Sequence, residues 1–567
     1  DNYCSFVTMK FVILILLGAA KFNDAALKWS SSYSYEAILS VPDSDILEPY
    51  EVWFDGTTGN TRIDFYNGLD KMYRLRLFGT RQDEEQKFIY YKMYPESISA
   101  TTNIQVCQRI QANQFRLYSP NTYLPTTQNF SFQGIEQING LESEKWQTSR
   151  VRLEDGVSVT FTYTIWVDYD KLNNTVPRRY EYRVSAGKVL IDNFRHDYIS
   201  YSAIEPDKII FELPDVNVLP CSEINLNNNY EPYDPLLEYI DPMYGHAKIK
   251  DDFERFKLNH NKTYLEQKEN FVRLNNFRRN LRYINSHNRM HSSFTLAINH
   301  LADANDDEMA VYFGTKDHFD EYEELNEDDD SIEEDQAHVT GFFKNFDWRD
   351  YGAVTSVKVQ TAMCRSCYAF ATAAAVESSK FIQNGFEQML EVSEQAIIDC
   401  SWRVNREGNY GCSGGSIRAS LEWIKNRGIP YRDDYGRYLA LEGRCHAPNV
   451  TRHTHIRGYH KVIKDERTIK RYLRKRGPLA IAIYSNPKSF MFYSSGVFND
   501  GNCKREKSIS GNHGLLLIGY GEEENGEEKF WTLKNSYGTK WGEQGYIRIA
   551  IKNNTCGVMD NVYSVRF

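Results

Sequence analysis

The stretch Gln360-Thr361-Ala362-Met363-Cys364-Arg365-Ser366-Cys367-Tyr368-Ala369-Phe370 decides how this chain is read. Cys364 and Cys367 frame a tight turn. The run from Ala369 to Phe381 is rich in alanine and lacks Gly and Pro, which predicts a buried helix. Cys367 then stands at a helix N-terminus, where unpaired backbone N–H groups and the helix dipole favour an anion and bias a thiol toward thiolate. Two plainer readings compete: a structural disulfide, or a zinc Cys-x-x-C knuckle. A knuckle needs a second Cys/His pair at matching spacing, and the nearby sequence offers none.

A nucleophilic thiolate needs an imidazole to pair with it, and the imidazole needs a third group to fix its ring. His513 lies in Gly511-Asn512-His513-Gly514, ahead of the apolar run Leu515 to Ile518 and then Gly519-Tyr520-Gly521. Asn535 lies in Lys534-Asn535-Ser536-Tyr537-Gly538, followed by Trp541-Gly542-Glu543. A lone His on an apolar strand is more often a satisfied core residue. Here the order Cys, then a distant His and Asn, with nearby glycines and Trp541, resembles that of the papain-like cysteine peptidases, which implies nucleophilic catalysis.

At these residues the sequence resembles the papain-like cysteine peptidases over about residues 250 to 567. Val392-Ser393-Glu394-Gln395-Ala396-Ile397-Ile398-Asp399-Cys400 and Gly411-Cys412-Ser413-Gly414-Gly415 extend the resemblance. It implies an α+β, two-lobed peptidase, with a helical half around Cys367 and a β-barrel half from about Tyr459 onward. The strand-like runs Lys529 to Leu533 and Gly545 to Ile551 fall in the second half. It also implies roles. Cys367 attacks the peptide carbonyl, His513 protonates the leaving amine, Asn535 orients the imidazole, and the Cys367 N–H with the Gln360 amide stabilises the oxyanion. Gly414 and Gly415 let a substrate backbone approach closely. Ser416, Ile417, Gly514, Trp541 and Asn561 complete the implied substrate-binding set. Asn561, five positions after Cys556, falls at the floor of the S2 pocket. Its neutral amide predicts P2 Leu, Val or Tyr ahead of Arg. No cofactor and no metal are expected; the partners are protein or peptide substrates.

The sequence departs from this family in three places. Three residues, Thr361, Ala362 and Met363, separate Gln360 from Cys364 where the family has two, so either Gln360 bulges to reach the oxyanion or Thr361 takes its place. Arg365 replaces a glycine near the S1 subsite, adding bulk and positive charge. Tyr368 and Tyr537 stand where the family carries Trp.

From Tyr244 to Phe319 the pattern turns helical. Glu269, Arg273, Phe277, Asn280, Ile284 and Asn288 resemble the interspersed signature of cathepsin L-type propeptides, and Asn299-His300-Leu301-Ala302-Asp303 resembles their second motif. An amphipathic helix explains Phe277 and Ile284 but not the polar series. The resemblance implies an inhibitory propeptide over 244–319 that runs backward through the cleft, so the chain's own propeptide is a partner. Acid is expected to loosen it by protonating carboxylates paired with Arg273 and its neighbours. An acidic linker over 320–345, dense in Asp and Glu to Asp335, is expected to stay solvated and to be nicked. The peptidase domain takes 346–567.

The chain has 567 residues, enough for more than one domain, and a net charge of −10, which implies no nucleic-acid partner. Residues 27–230 alternate in short stretches: Tyr33 to Val41, Tyr50 to Phe54, Thr61 to Tyr66, Lys87 to Met93, Ser158 to Val167 and Arg178 to Val184. Turns such as Asp55-Gly56 and Asn139-Gly140 separate them. This predicts an antiparallel β domain. It resembles the ependymin and lipoprotein-carrier half-barrels, which implies an apolar ligand or partner; a folded targeting module without a ligand fits equally well. A second cut in the polar join Asn227 to Asp241 would release it.

Met9-Lys10 and the apolar run Phe11 to Ala20 read as a signal peptide within a leader of residues 1–26, cut after Ala20 or Ala26; residues 1–8 precede the expected initiator. No run is apolar enough to span a membrane. Setting aside Cys4 in the leader and Cys367 as nucleophile leaves eight of ten cysteines, an even number that suits an oxidising compartment. The family resemblance implies Cys364–Cys412, Cys400–Cys445 and Cys503–Cys556, and Cys107 with Cys221 remain for the N-terminal region. Sequons at Asn129, Asn173, Asn261, Asn449 and Asn553 fit the same route, with a lysosome, secretory granule or the extracellular space as destination. Two functions follow: an endopeptidase made as a zymogen, or a weakly active papain-like protein with a binding or storage role.

Overall fold

A computed structural model describes residues 27–77, 87–97, 103–111, 122–213, 220–223, 234–290, 292–315, 344–402, 408–504, 511–523 and 528–567. The expected leader and most of the acidic linker lie outside the described residues. The chain divides into two compact units. One comprises residues up to Tyr94, Val106–Glu254 and Tyr264–Phe271; the other comprises Pro95–Gln105, Arg255–Thr263 and Val272–Phe567. The division falls within the helices Pro242–Asn259 and Gln267–Arg289 rather than at the 230–244 join.

The first unit is built on a twelve-stranded sheet. Its strands are β1 (Tyr33–Val41), β2 (Ile46–Phe54), β3 (Thr61–Phe65), β4 (Asp70–Leu77), β5 (Lys87–Ser97), β6 (Asn103–Gln111), β7 (Ser131–Ile138), β8 (Leu141–Glu154), β9 (Val157–Tyr169), β10 (Thr175–Ala186), β11 (Val189–Ser202) and β12 (Cys221–Glu223). They lie in the order β12-β6-β5-β4-β3-β2-β1-β11-β10-β9-β8-β7. From β5 round to β7 neighbours are antiparallel, and β6 and β12 are parallel and joined by Cys107–Cys221. Asn139 and Gly140 both adopt positive φ, 52° and 83°, and close the β7–β8 hairpin.

Alternation gives the sheet one buried face. Along β1, Tyr33, Tyr35, Ala37, Leu39 and Val41 are all buried. The face is aromatic: Phe194 lies 4.8 Å from Tyr182 and 5.1 Å from Tyr239, ring centre to ring centre. Leu236, Tyr239 and Ile240 belong to the same core as the strands, with Tyr123, Leu124 and Phe271. Tyr123 Oη donates to Asp234 Oδ2 at 2.5 Å, anchoring the start of this segment. Leu236, Tyr239 and Ile240 of the chain's own segment 234–240 thus pack against this face.

The second unit centres on the helix Cys367–Gln383, whose residues from Cys367 to Ser379 are all buried. Alanine lets it lie close to its neighbours; Ala369, Ala371, Ala373 and Ala375 share a core with Ala480, Ala482, Leu516 and Ile518. A nine-stranded sheet packs beside it. Along its main path the strands run Phe294–Leu296, Tyr493–Phe498, Tyr546–Ala550, Lys529–Lys534, His513–Glu522, Leu479–Ile483, Asn561–Arg566 and Gly458–Lys461. The strand Phe294–Leu296 thus adds the helical segment to the edge of the peptidase sheet, pairing with Tyr493–Gly496.

The structure forms Cys364–Cys412, Cys400–Cys445 and Cys503–Cys556, and Cys367 is buried and outside any disulfide. All five sequon asparagines are exposed. Among the described residues no helix is long and apolar enough to cross a membrane, and no cluster of three or more His, Cys, Asp or Glu could hold a metal ion.

Phe194 is 1% exposed, so truncating it opens a cavity among Tyr182, His196 and Tyr239. Phe194→Ala should destabilise the first unit by about 3–5 kcal/mol. Urea unfolding of the full chain followed by tyrosine near-UV dichroism measures this; a loss under about 1 kcal/mol would contradict the packing described.

Candidate active site

Cys367 is the first residue of its helix and fully buried. Ser366 precedes it and spends its hydroxyl on Tyr438 Oη at 2.8 Å rather than on capping the helix. The helix N–H groups beside Cys367 therefore lack a side-chain cap, which leaves positive potential at the thiol. His513 begins the strand His513–Glu522. Its neighbour Gly514 brings that strand against the helix: a Cβ there would stand 2.9 Å from the Cys367 carbonyl oxygen.

Asn535 fixes the imidazole. His513 Nε2 and Asn535 Oδ1 are 2.9 Å apart. The Ser536 backbone N–H also points at Oδ1, at 2.7 Å, so that atom is an oxygen and Nε2 must carry the proton. In the neutral ring the lone pair then belongs to Nδ1. Tyr537 covers the imidazole at 4.9 Å, with Phe490 at 5.8 Å. Trp541 packs behind Tyr537 at 5.4 Å, fully buried, and its indole N–H donates to the Met491 carbonyl. Burial lowers the His513 pKa to about 4, opposed by the Asn535 hydrogen bond and the Tyr312 carbonyl.

Gln360 reaches the site despite the extra residue. Thr361 absorbs it by adopting φ +59°, a costly conformation for a β-branched side chain. Gln360 is held on three sides: its N–H by the Ser536 carbonyl at 2.9 Å, its Oε1 by the Ser536 hydroxyl at 2.7 Å, and its carbonyl by Tyr438 Oη at 2.5 Å. With Oε1 engaged, Nε2 faces the cleft and donates to the Tyr312 carbonyl at 3.1 Å. Of the two sequence alternatives, Gln360 rather than Thr361 presents its side chain to that carbonyl. Tyr312 and Tyr438 were not singled out by sequence, because each acts through a contact far along the chain.

The segment around Tyr312 fills the cleft. The Gly314 and Thr315 N–H groups donate to the Asn512 carbonyl at 2.8 and 3.1 Å, and the Gly415 N–H donates to the Gly314 carbonyl at 2.8 Å. Thr315 pairs parallel to Gly415. A Cβ on Gly415 would strike Asn409 Oδ1 at 2.4 Å and the Tyr368 ring at 2.7 Å, so glycine is required there for packing. Gly414 has φ +106°. Ser416 accepts from the Ala419 N–H as a helix cap, and Ile417 is buried in the helical core. Asn561 is fully buried, opposite Ala482, and neither amide atom has a hydrogen-bond partner among the described residues.

The polar series of the helix Gln267–Arg289 also acquires a purpose. Asn280 Nδ2 donates to the Ala302 and Ala304 carbonyls, Asn276 to that of Asp303, and Asn288 makes two bonds to Leu296. Arg273 pairs with Glu308 at 2.7 Å, and Asn299 donates to the Met491 carbonyl at 2.8 Å. These bonds hold residues 296–304 in a defined path toward Tyr312.

Behind the site, Lys358 bridges the Glu377, Glu391 and Glu394 carboxylates at 3.3, 3.1 and 2.5 Å. Burial works against its charge, but Glu377 and Glu394 outweigh that and raise its pKa. Lys534, beside Asn535, donates to Thr355 Oγ1, and burial lowers its pKa to about 8. The cluster ties the strand carrying Asn535 to the helical core.

Comparison with known proteins gives two family matches: the papain family cysteine protease model over residues 342–566, and the cathepsin propeptide inhibitor domain over 253–309. Cathepsin L1 of Drosophila melanogaster is 35% identical over 321 residues, covering 55% of this chain and 83% of that protein. Cathepsin L of Sarcophaga peregrina is 34% identical over 321 residues, covering 55% of this chain and 91% of that one. The digestive procathepsin L2 proteinase of the Tenebrio molitor larval midgut aligns with a TM-score of 0.49 at 29% identity, over 56% of this chain and all of that structure.

Acid should loosen the cleft-filling segment, and histidines set where. Burial lowers His260 and His300 to about 4, helped by Lys262 and Lys540; His300 also feels His260. Tyr312 lies 6.2 Å from His300, and Phe256 4.9 Å from His260. With folded pKa values below the ordinary 6.5, the folded unit binds fewer protons than the released one, so stability falls as pH drops from about 6.5 toward 4. Glu308 differs. Burial raises its pKa, the Arg273 pair outweighs that and lowers it, so its contribution disappears only below the usual carboxylate pKa. Asp303 is raised by burial despite Lys262, and protonation there relieves strain rather than adding it. The thermal midpoint of Cys367→Ser should therefore fall most between pH 6.5 and 4, and His260→Asn with His300→Asn should flatten that fall. A fall confined to pH below 4.5 would assign control to the carboxylates instead.

Proposed function

We propose, on the premise that this chain belongs to the papain family of cysteine proteases as a cathepsin L-like proenzyme, that Cys367, His513 and Asn535 form its catalytic site. The observation that carries this reading is the Tyr312 carbonyl, seated on the Gln360 amide and facing the His513 ring. A substrate carbonyl in its place would lie against a preorganised donor beside the thiol. His513 Nδ1 takes the Cys367 thiol proton as the sulfur attacks that carbon, and the charge moves to oxygen, stabilised by Gln360 Nε2 and the Cys367 N–H. His513 gives its proton to the departing amine, leaving a thioester on Cys367. A water then gives a proton to His513 and attacks the thioester, restoring the thiol and releasing the acid.

In the proenzyme the segment Tyr312 to Thr315 occupies the cleft and neutral His513 is sealed by Tyr537. We read this as the inhibited state, with the segment running opposite to a productive substrate. The reading of a weakly active binding protein rested on the altered loop before Cys364; the anchoring of Gln360 by Ser536 and Tyr438 favours the enzyme. Four disulfides and five exposed sequons support passage through the secretory pathway, with the lysosome, a granule or the extracellular space as destination. A β domain ahead of a cathepsin L-like precursor resembles the two-chain haemocyte proteinase of insects.

Cys367→Ser should keep its fold and its four disulfides while losing peptide hydrolysis, since a serine hydroxyl is far harder to ionise beside this histidine. Hydrolysis surviving in the purified variant would overturn the site assignment.

At P2, the enclosed and unpartnered Asn561 amide needs a hydrogen bond once the cleft is open. It carries no charge to attract a cation, so P2 Leu, Val or Tyr should be cleaved ahead of Arg. Kinetics on a P2-varied peptide series decide: faster turnover of P2 Arg than P2 Leu, or an unchanged profile in Asn561→Ala, would remove Asn561 from the pocket.

A further inference from the structure

We infer that Arg365 makes this cleft select acidic side chains at P1, the residue just before the scissile bond. The inference rests on the reading of Cys367 as nucleophile and names a substrate class for that site.

Gly314 marks the place. Its N–H is bound by the Asn512 carbonyl and its carbonyl by the Gly415 N–H, so both walls of the cleft hold its backbone. A Cβ built on it would stand 2.2 Å from the Arg365 carbonyl oxygen, 2.6 Å from its carbonyl carbon and 2.9 Å from its Cβ. The chain's own occupant has no side chain there, and the wall beside it is the Arg365 main chain and Cβ, so Arg365 borders this part of the cleft.

Arg365 is rigidly mounted. Its N–H donates to the Cys412 carbonyl at 3.0 Å, Cys364 before it is disulfide-bonded to Cys412, and Ser366 after it is tied to Tyr438. Its side chain is exposed and has no hydrogen bond or ion pair among the described residues. Glu442, the carboxylate beside the same disulfide, accepts from the Cys412 N–H at 2.9 Å and makes no ion pair with Arg365. A permanent positive charge, two residues from Cys367, is thus left available at the cleft edge. Arginine also has the planar fork that matches a carboxylate. A P1 Glu or Asp gains that pair, and a P1 Lys or Arg meets like charge. The sequence after Thr315 supplies such side chains at Asp320, Glu321, Glu323, Glu324 and Asp328 to Asp330, so first cuts by the enzyme on its own precursor should follow acidic residues.

The test compares peptides with P2 Leu and P1 Glu, Asp, Gln, Lys or Arg on the acid-activated wild-type chain, Arg365→Gly and Arg365→Glu. P1 Glu should exceed P1 Lys by about tenfold in kcat/KM at low salt, the gap narrowing as salt rises. Arg365→Gly should level the series and Arg365→Glu should invert it, with P1 Gln turnover reporting that both variants fold. A preference of the wild type for P1 Lys or Arg, or a profile unchanged in Arg365→Gly, overturns the inference. Binding of the same peptides to Cys367→Ala, its prosegment removed by an added protease, needs no turnover. Acid-selective binding without any wild-type hydrolysis would sink the Cys367 reading alone, and unselective binding would sink the Arg365 inference.

Discussion

The close approach of the helix Cys367–Gln383 to the strand His513–Glu522 is the constraint on which the rest depends. Gly514 permits it, because a single methyl group there would stand within 3 Å of the Cys367 backbone. The alanines of the helix permit it along the remaining length. The contact puts a helix N-terminus and an imidazole side by side. Everything else at the site positions groups around that seam: Asn535 sets the tautomer, Ser536 and Tyr438 hold Gln360, and the buried Lys358–Glu377–Glu394 cluster fixes the strand behind.

The fold is papain-like with propeptide helices, preceded by a large antiparallel sheet domain. Much of it was legible. Alternation located β1 and β3 to within a residue and the central parts of β2, β5, β9 and β10, whose ends extend up to four residues further. Strands such as β8 were missed because both faces carry polar or exposed side chains over much of their length, so no period of two appears. The helix around Phe277 showed its apolar positions, and the asparagines between them stood out as unexplained; their partners are backbone carbonyls twenty or so residues away, which no local pattern encodes.

At the site, residue types and order exposed Cys367, His513 and Asn535, while reach remained hidden. An extra residue before Cys364 left open whether Gln360 could present its amide; only the left-handed turn at Thr361 and the hydroxyl of Tyr438 answer that. His260 and His300 were silent for the same reason, because their depressed pKa values come from burial beside Lys262 and Lys540 rather than from any motif. The segment 234–240 read as a polar join, yet its apolar half, Leu236 to Ile240, completes the core beneath the first sheet.

The central claim is that one thiol does the chemistry and that the chain's own segment at Tyr312 to Thr315 covers it until removed. Labelling with a thiol-directed peptidyl epoxide, located by mass spectrometry, tests both halves together. The account predicts no adduct on the intact chain at neutral pH and a single adduct on Cys367 after acid has released the segment. No adduct after release, or equal labelling of the intact chain, would contradict it.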